Sequence, residues 1–416
     1  MSYVTRTVDI ELDELLRLAP AIAIDGPKGV GKTSTAQRRA ARSWLLDDTS
    51  QRALVEADPT FSGAPDGTLL IDEWQRLPEI WDSVRRRVDE GAPAGRFLLT
   101  GSATPADAQG THSGAGRILS LRMRPLALHE RGLSAPTVSL RALLAGTAGH
   151  IDGATAMRAP DYLSAIETSG FPGIYRQTQR LRRGQIDAYL QRVVDRDLPD
   201  AGFAVRRPET LRRWLTAYAA ASSTTTAYSR ILDATTAGDG FQPAKTTTIA
   251  YRDHLTRLWL VDPVSGWSPS RNPMKRLAQA PKHQLADPAL ALRLLNLSAQ
   301  SLATSTGAAM AGPLFESLAT LGIRVAAQAA EARVGHLRTQ NGDHEVDLIV
   351  EGHDGRVLGI EVKLAAAIRD DDVRHLLWLR EQLNDEVADL IVLTTGDQAY
   401  RRRDGVAVVP LALLGP

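Results

Sequence analysis

Hydrophobic positions in the first third of the chain alternate between two periods. Ile10, Leu12, Leu15 and Leu16 fall near helical spacing within Asp9 to Leu18. A short apolar run, Ala21 to Ile24, leads into a glycine-rich turn, and a helical pattern runs from about Lys32 to Ser43. Leu69 to Ile71 and Phe97 to Leu99 have the length and character of buried strands, with a helical pattern from Ile80 to Glu90 between them. Strands alternating with helices predict an α/β unit whose parallel sheet is covered on both faces. A Gly-, Ala-, Ser- and Thr-rich stretch, 106–116, reads as a mobile loop.

Beyond the Gly/Ala-rich stretch 145–155 the pattern turns helical and basic, from Asp161 to Trp214. Between Arg176 and Arg213 there are ten arginines against five acids: Asp187, Asp195, Asp197, Asp200 and Glu209. Three short helical patterns follow, Pro208 to Ala221, Ala227 to Thr235 and about Ala244 to Leu258. An apolar strand, Leu258 to Val261, and a turn at Ser265 to Gly266 come next. Three helices and then a hairpin is the layout of a winged helix. The last part predicts a helix from Pro313 to Leu321 and strands at His336 to Thr339, Glu345 to Val350 and Val357 to Leu364. A helix from Arg369 to Leu383 and a strand from Asp389 to Thr394 complete it. The expected units are therefore 1–150, 151–206, 207–300 and 301–416.

Composition narrows this picture only slightly. Hydrophobic residues make up 43% and charged residues 23% of the 416, an ordinary globular balance with enough apolar side chains for several cores. With 49 basic and 48 acidic side chains, whole-chain charge argues for neither nucleic acid nor membrane; only local patches can. The chain has no cysteine, which removes disulfides and thiolate metal sites. Met1 to Pro20 lacks the basic start and apolar run of a signal peptide, and no membrane-length apolar stretch occurs, so a soluble cytoplasmic protein is expected.

The first candidate chemistry lies between the first apolar strand and the helix after it. Gly26-Pro27-Lys28-Gly29-Val30-Gly31-Lys32-Thr33, with Ser34 following, fits the phosphate-binding P-loop pattern in full. Its glycines let backbone N–H groups turn inward around phosphates, and the helix start adds partial positive charge. Lys32 is expected to reach the β- and γ-phosphates of ATP and Thr33 to ligate Mg²⁺. Leu69 to Ile71 ends in Asp72 and Glu73, the first suited to hold the magnesium and the second to polarise an attacking water. Leu98 and Leu99 lead into Thr100 and Ser102, hydroxyls placed to sense the γ-phosphate at a C-terminal strand end.

These segments, with LLIDEWQRLP at 69–78, GRFLLTGSA at 95–103 and GAGRILSLRMRPLALHE at 114–130, resemble a family of bacterial and archaeal AAA-type ATPases. Members carry a C-terminal domain of unknown function with a restriction-endonuclease-like core. The resemblance implies nucleotide roles for Gly31, Lys32, Thr33, Asp72, Glu73 and Gln75, and a place near the γ-phosphate for Arg117, in its own subunit or a neighbour. It also implies a ring or other homo-oligomer. GFPGIYR at 170–176 and YLQRVVDRDLPD at 189–200 resemble the family's junction segment.

Two further constellations remain. Lys245, Thr247 and Arg252 begin the third helix of the winged-helix pattern, where side chains contact phosphates or base edges; Asn272, Lys275 and Arg276 add polarity and charge. In the last unit Asp347 and Glu361 lie on strands expected to pair across the turn at Gly352 to Gly355, and Lys363 shares a face with Glu361. Two carboxylates beside a lysine suit metal-assisted phosphodiester hydrolysis, with Glu316 as a further acidic ligand. The arrangement resembles the PD-(D/E)xK nuclease signature. The leading expectation is an ATP-driven machine acting on nucleic acid, with DNA as the expected polymer. Its alternative is a nucleotide-dependent switch or scaffold whose C-terminal domain is inert. A toxin-like or defence element is a third possibility.

Overall fold

A computed structural model describes residues 3–101, 115–236, 244–269, 279–339 and 342–416 of the chain. The N-terminal sheet contains β1 (Ala21–Asp25), β2 (Arg42–Leu45), β3 (Leu69–Asp72), β4 (Phe97–Gly101) and β5 (Leu119–Arg122), in the order β2-β3-β4-β1-β5 and parallel throughout. Ile22, Ile24, Leu70 and Leu98 pack into one core. Ala21, Ala23, Leu69, Ile71, Phe97 and Leu99 pack into another on the opposite face. Alternation at period two thus buries both faces, as the near-continuous apolar runs require. The C-terminal ends of β1, β3 and β4 come together at one edge, with Asp25 opposite Gly101 and Asp72 opposite Thr100.

One expectation fails here. The helix after the glycine-rich turn stops at Gln37, and Arg42 and Ser43, expected at its end, open strand β2. The run Gln37 to Ala41 has good helix formers, but β3 needs a neighbour along its outer edge, and pairing with Leu69 to Asp72 wins over local propensity.

The middle is helical, with helices Ala159–Thr168, Gln179–Arg192, Pro208–Ala220, Tyr228–Thr235 and Lys245–Arg257. Its last three match the predicted trio, but the expected hairpin does not form as read. Leu258 caps a helix, and Val261 and Val264 make single antiparallel bridges to Leu285 and Lys282. Ser265 and Gly266, read as a turn, belong to β7 (Ser265–Trp267), which leaves the helices and pairs in parallel with β8 (Arg333–Arg338). Close approach permits this: a Cβ on Gly335 would lie 2.8 Å from the Trp267 Cβ.

The C-terminal sheet runs β12-β13-β11-β10-β9-β8-β7. It comprises β9 (Glu345–Glu351), β10 (Val357–Val362), β11 (Val387–Thr394), β12 (Tyr400–Arg401) and β13 (Ala407–Pro410). The predicted β9–β10 hairpin forms, with Ile360 opposite Leu348. The predicted helix at Pro313 is far longer, Ala308–Ala329, and it packs on both the C-terminal sheet and the helix Thr7–Leu15. Leu414–Gly415 (β14) returns to pair in parallel with Val138–Ser139 (β6). Among the described residues no helix is long and apolar enough to cross a membrane.

Candidate nucleotide site and C-terminal carboxylate cluster

The turn after β1 is held by contacts only glycine permits. A Cβ on Gly26 would sit 2.2 Å from the Met123 carbonyl oxygen. Gly29 and Gly31 have φ of +80° and +103°, where other residues are strained. The Arg6 guanidinium, itself buried, donates to the Val30 carbonyl at 2.9 Å and fixes the loop from behind. Lys32 begins the helix Lys32–Gln37 and folds back: its Nζ donates to the carbonyls of Gly26 at 2.8 Å and Pro27 at 3.0 Å. Burial pushes the Lys32 ammonium down to about 8, against the pull of Glu73 and Asp72.

Asp72, buried at the end of β3, faces this loop. Its Oδ1 accepts the Thr33 hydroxyl at 2.8 Å and also the Thr100 hydroxyl from β4. A hydroxyl and a carboxylate oxygen at this spacing are hard donors suited to Mg²⁺, so Thr33 and Asp72 fit the expected ion. Glu73 follows with φ of 54°, a left-handed conformation uncommon for a non-glycine side chain, and its carboxylate accepts from Gln75. Ser102 lies outside the described residues, as does most of the predicted loop 106–116. Arg117 does not line the site; it is exposed and pairs with Asp89 at 2.8 Å.

The cavity in front of the loop has a volume of about 730 Å³. Part of its wall was not foreseen. Pro172, Gly173, Tyr175 and Arg176, read only as junction sequence, reach it from the middle unit, and Tyr3 reaches it from the N-terminus with Arg38 4.6 Å over its ring. Lys28 ties the loop itself to the middle unit through Asp197 at 2.7 Å. The compact GFPGIYR signature was the one available signal. A second link joins the units behind the sheet. Half-buried Asp262 meets Arg124 and Arg324 at 3.0 Å each, while the Arg122 guanidinium stacks 3.7 Å over Trp259.

The C-terminal candidates do converge. Asp347 on β9 accepts the Val362 N–H at 2.9 Å, and Lys363 Nζ lies 2.8 Å from Glu361 on β10. Glu316, from the helix Ala308–Ala329, joins them through a residue the sequence reading missed. Lys282, with no exposed side-chain surface, donates to Glu316 Oε1 at 2.8 Å, Asp347 Oδ1 at 3.2 Å and the Asp347 carbonyl at 3.3 Å. It precedes Glu316 by 34 residues and belongs to no motif, so nothing local announced it. Burial and the Asp347 charge push Glu361 well above the carboxylate range and Glu316 up to about 8. Burial acts likewise on Asp347, but Lys282 and Lys363 outweigh it and hold that carboxyl below its usual value. Among the described residues no group of three or more His, Cys, Asp or Glu side chains is arranged to hold a metal. Glu316 and Asp347 instead meet on the Lys282 ammonium, and Glu361 pairs with Lys363.

The candidate nucleic-acid contacts separate. Lys245 is exposed and Thr247 half-buried, but Arg252 turns inward over the Tyr228 ring and pairs with Asp253. Asn272, Lys275 and Arg276 lie outside the described residues. Several arginines of the basic stretch are also spoken for: Arg183 by Glu167 at 3.0 Å and Arg212 by Asp195 at 2.6 Å.

Three families of known proteins match separate stretches of the chain. Residues 19–131 match an AAA domain family, and 159–301 and 311–414 match two separate domains of unknown function, DUF8612 and DUF4143. Two uncharacterized proteins, from Mycobacterium bovis and Mycobacterium tuberculosis, are each 28% identical over 97% of this chain and 83% of their own length. Among solved structures, a Walker-type ATPase of Pyrococcus abyssi aligns at 15% identity and a TM-score of 0.39, covering 69% of this chain and 94% of its own.

Proposed function

We propose that this chain, whose residues 19–131 form an AAA-type P-loop ATPase domain, binds ATP with Mg²⁺ and hydrolyses it in the cavity before the loop 26–33. The observation that carries this reading is the 2.8 Å contact between the Thr33 hydroxyl and Asp72, at the mouth of a loop whose backbone only glycine can follow. In this reading Lys32 exchanges its loop carbonyls for the β- and γ-phosphates. Thr33 and Asp72 hold the ion, which neutralises phosphate charge. Glu73 orients the attacking water, and Thr100 with Ser102 reads the γ-phosphate. Arg117, exposed and outside the pocket, serves a neighbouring copy. The Lys32→Ala protein should keep its circular dichroism spectrum and lose ATP turnover; wild-type turnover in that variant would sink the assignment.

For the use of the cycle, the carboxylate cluster favours a nucleotide-dependent switch or scaffold whose C-terminal domain makes contacts rather than cuts. Exposed Lys245 at a helix N-terminus supports a second reading, in which DNA is the partner. DNA that stimulates ATPase activity, with the stimulation lost in Lys245→Ala, would establish the second; no stimulation across linear, circular and branched DNA leaves the first.

A further inference from the structure

We infer that Lys282 is the resident cation of the C-terminal cluster, occupying the place between Glu316 and Asp347 that a divalent metal would need. The geometry is saturated on both sides. An ammonium has three protons to donate, and those of Lys282 meet Glu316 Oε1, Asp347 Oδ1 and the Asp347 carbonyl at 2.8, 3.2 and 3.3 Å. Glu345 Oε1 adds a third carboxylate at 3.8 Å. On the other flank Lys363 takes Glu361 at 2.8 Å. Two lysines thus face the acids that a hydrolytic ion would bridge, and a 2+ ion would enter beside an ammonium that cannot leave for water.

Lys282 cannot leave because its backbone is built in. Its N–H and carbonyl each bond Val264 at 2.9 Å. The flanking residues His283, Gln284 and Asp287 are also buried. The cation is therefore supplied in cis, by the 159–301 segment to the acids of the 311–414 segment. Burying carboxylates without a partner is costly, and a tethered ammonium offsets that cost without any free ion. The conclusion is independent of the ATPase assignment, since it concerns different residues.

The test is manganese binding to the nucleotide-free full chain, followed by electron paramagnetic resonance. Any ion held at Thr33 and Asp72 cancels between variants. Wild type and Asp347→Asn should titrate identically. Lys282→Met should gain one equivalent of Mn²⁺, and adding Asp347→Asn should remove it. Should Lys282→Met not fold, Lys282→Met/Glu316→Gln, which drops one charge of each sign, should recover a folded protein. In that event the wild-type comparison alone decides: one more Mn²⁺ bound by wild type than by Asp347→Asn overturns the inference, and equal titrations sustain it.

Discussion

A lysine folded onto its own loop sets how binding must depend on pH. With its ammonium pushed down to about 8, Lys32 is charged at pH 7 and loses its proton as pH rises through 8. A triphosphate favours the charged form, so its bound value lies higher. ATP binding should then take up a proton at pH 8 to 9 and almost none at pH 7, and affinity should fall by about tenfold per unit above 8. Calorimetry in buffers of different ionisation enthalpy reads the uptake directly. Glu73→Gln should bind ATP as wild type does yet turn over slower by a factor of about 10² to 10⁴, the usual worth of a positioned base. At this scale the sequence was most legible where backbone and side chain are specified together. The loop 26–33 and the Asp72 and Glu73 pair announce themselves by spacing. Lys282 does not, because its partners come from distant parts of the chain and a lone lysine carries no pattern.

Among the elements, legibility followed burial. Strands β1, β3 and β4 are apolar on both faces, and their runs mark them in the sequence to within two residues, whereas β2, whose four residues are all half-buried or exposed, overlaps the helical pattern at Arg42 and Ser43. The segment 172–176 shows the opposite limit. Its role in the cavity depends on how the middle unit folds back, which no local pattern encodes. Replacing Arg176 by Ala should weaken ATP binding by about tenfold, roughly 1.4 kcal/mol, as measured by calorimetry. Unchanged affinity would remove that wall from the site.

On the scale of the whole molecule, the links that tie the units together include Lys28 to Asp197, the Asp262 clasp, and β14 on β6. Replacing Asp262 by Ala strands the half-buried Arg124 and Arg324 without their carboxylate, and urea unfolding should show a loss of about 3 to 5 kcal/mol. The four predicted units also mislead in one practical respect. Cut at residue 301, the last of them would lose β7, and the row of amides and carbonyls along β8 would face solvent with nothing to cover it. It would lose Lys282 as well, leaving Glu316 and Asp347 with no ammonium between them. Such a fragment should associate edge to edge on purification, while one that starts before Val264 should stay monodisperse by light scattering. The piece of chain that finishes the last sheet is thus made before that sheet begins.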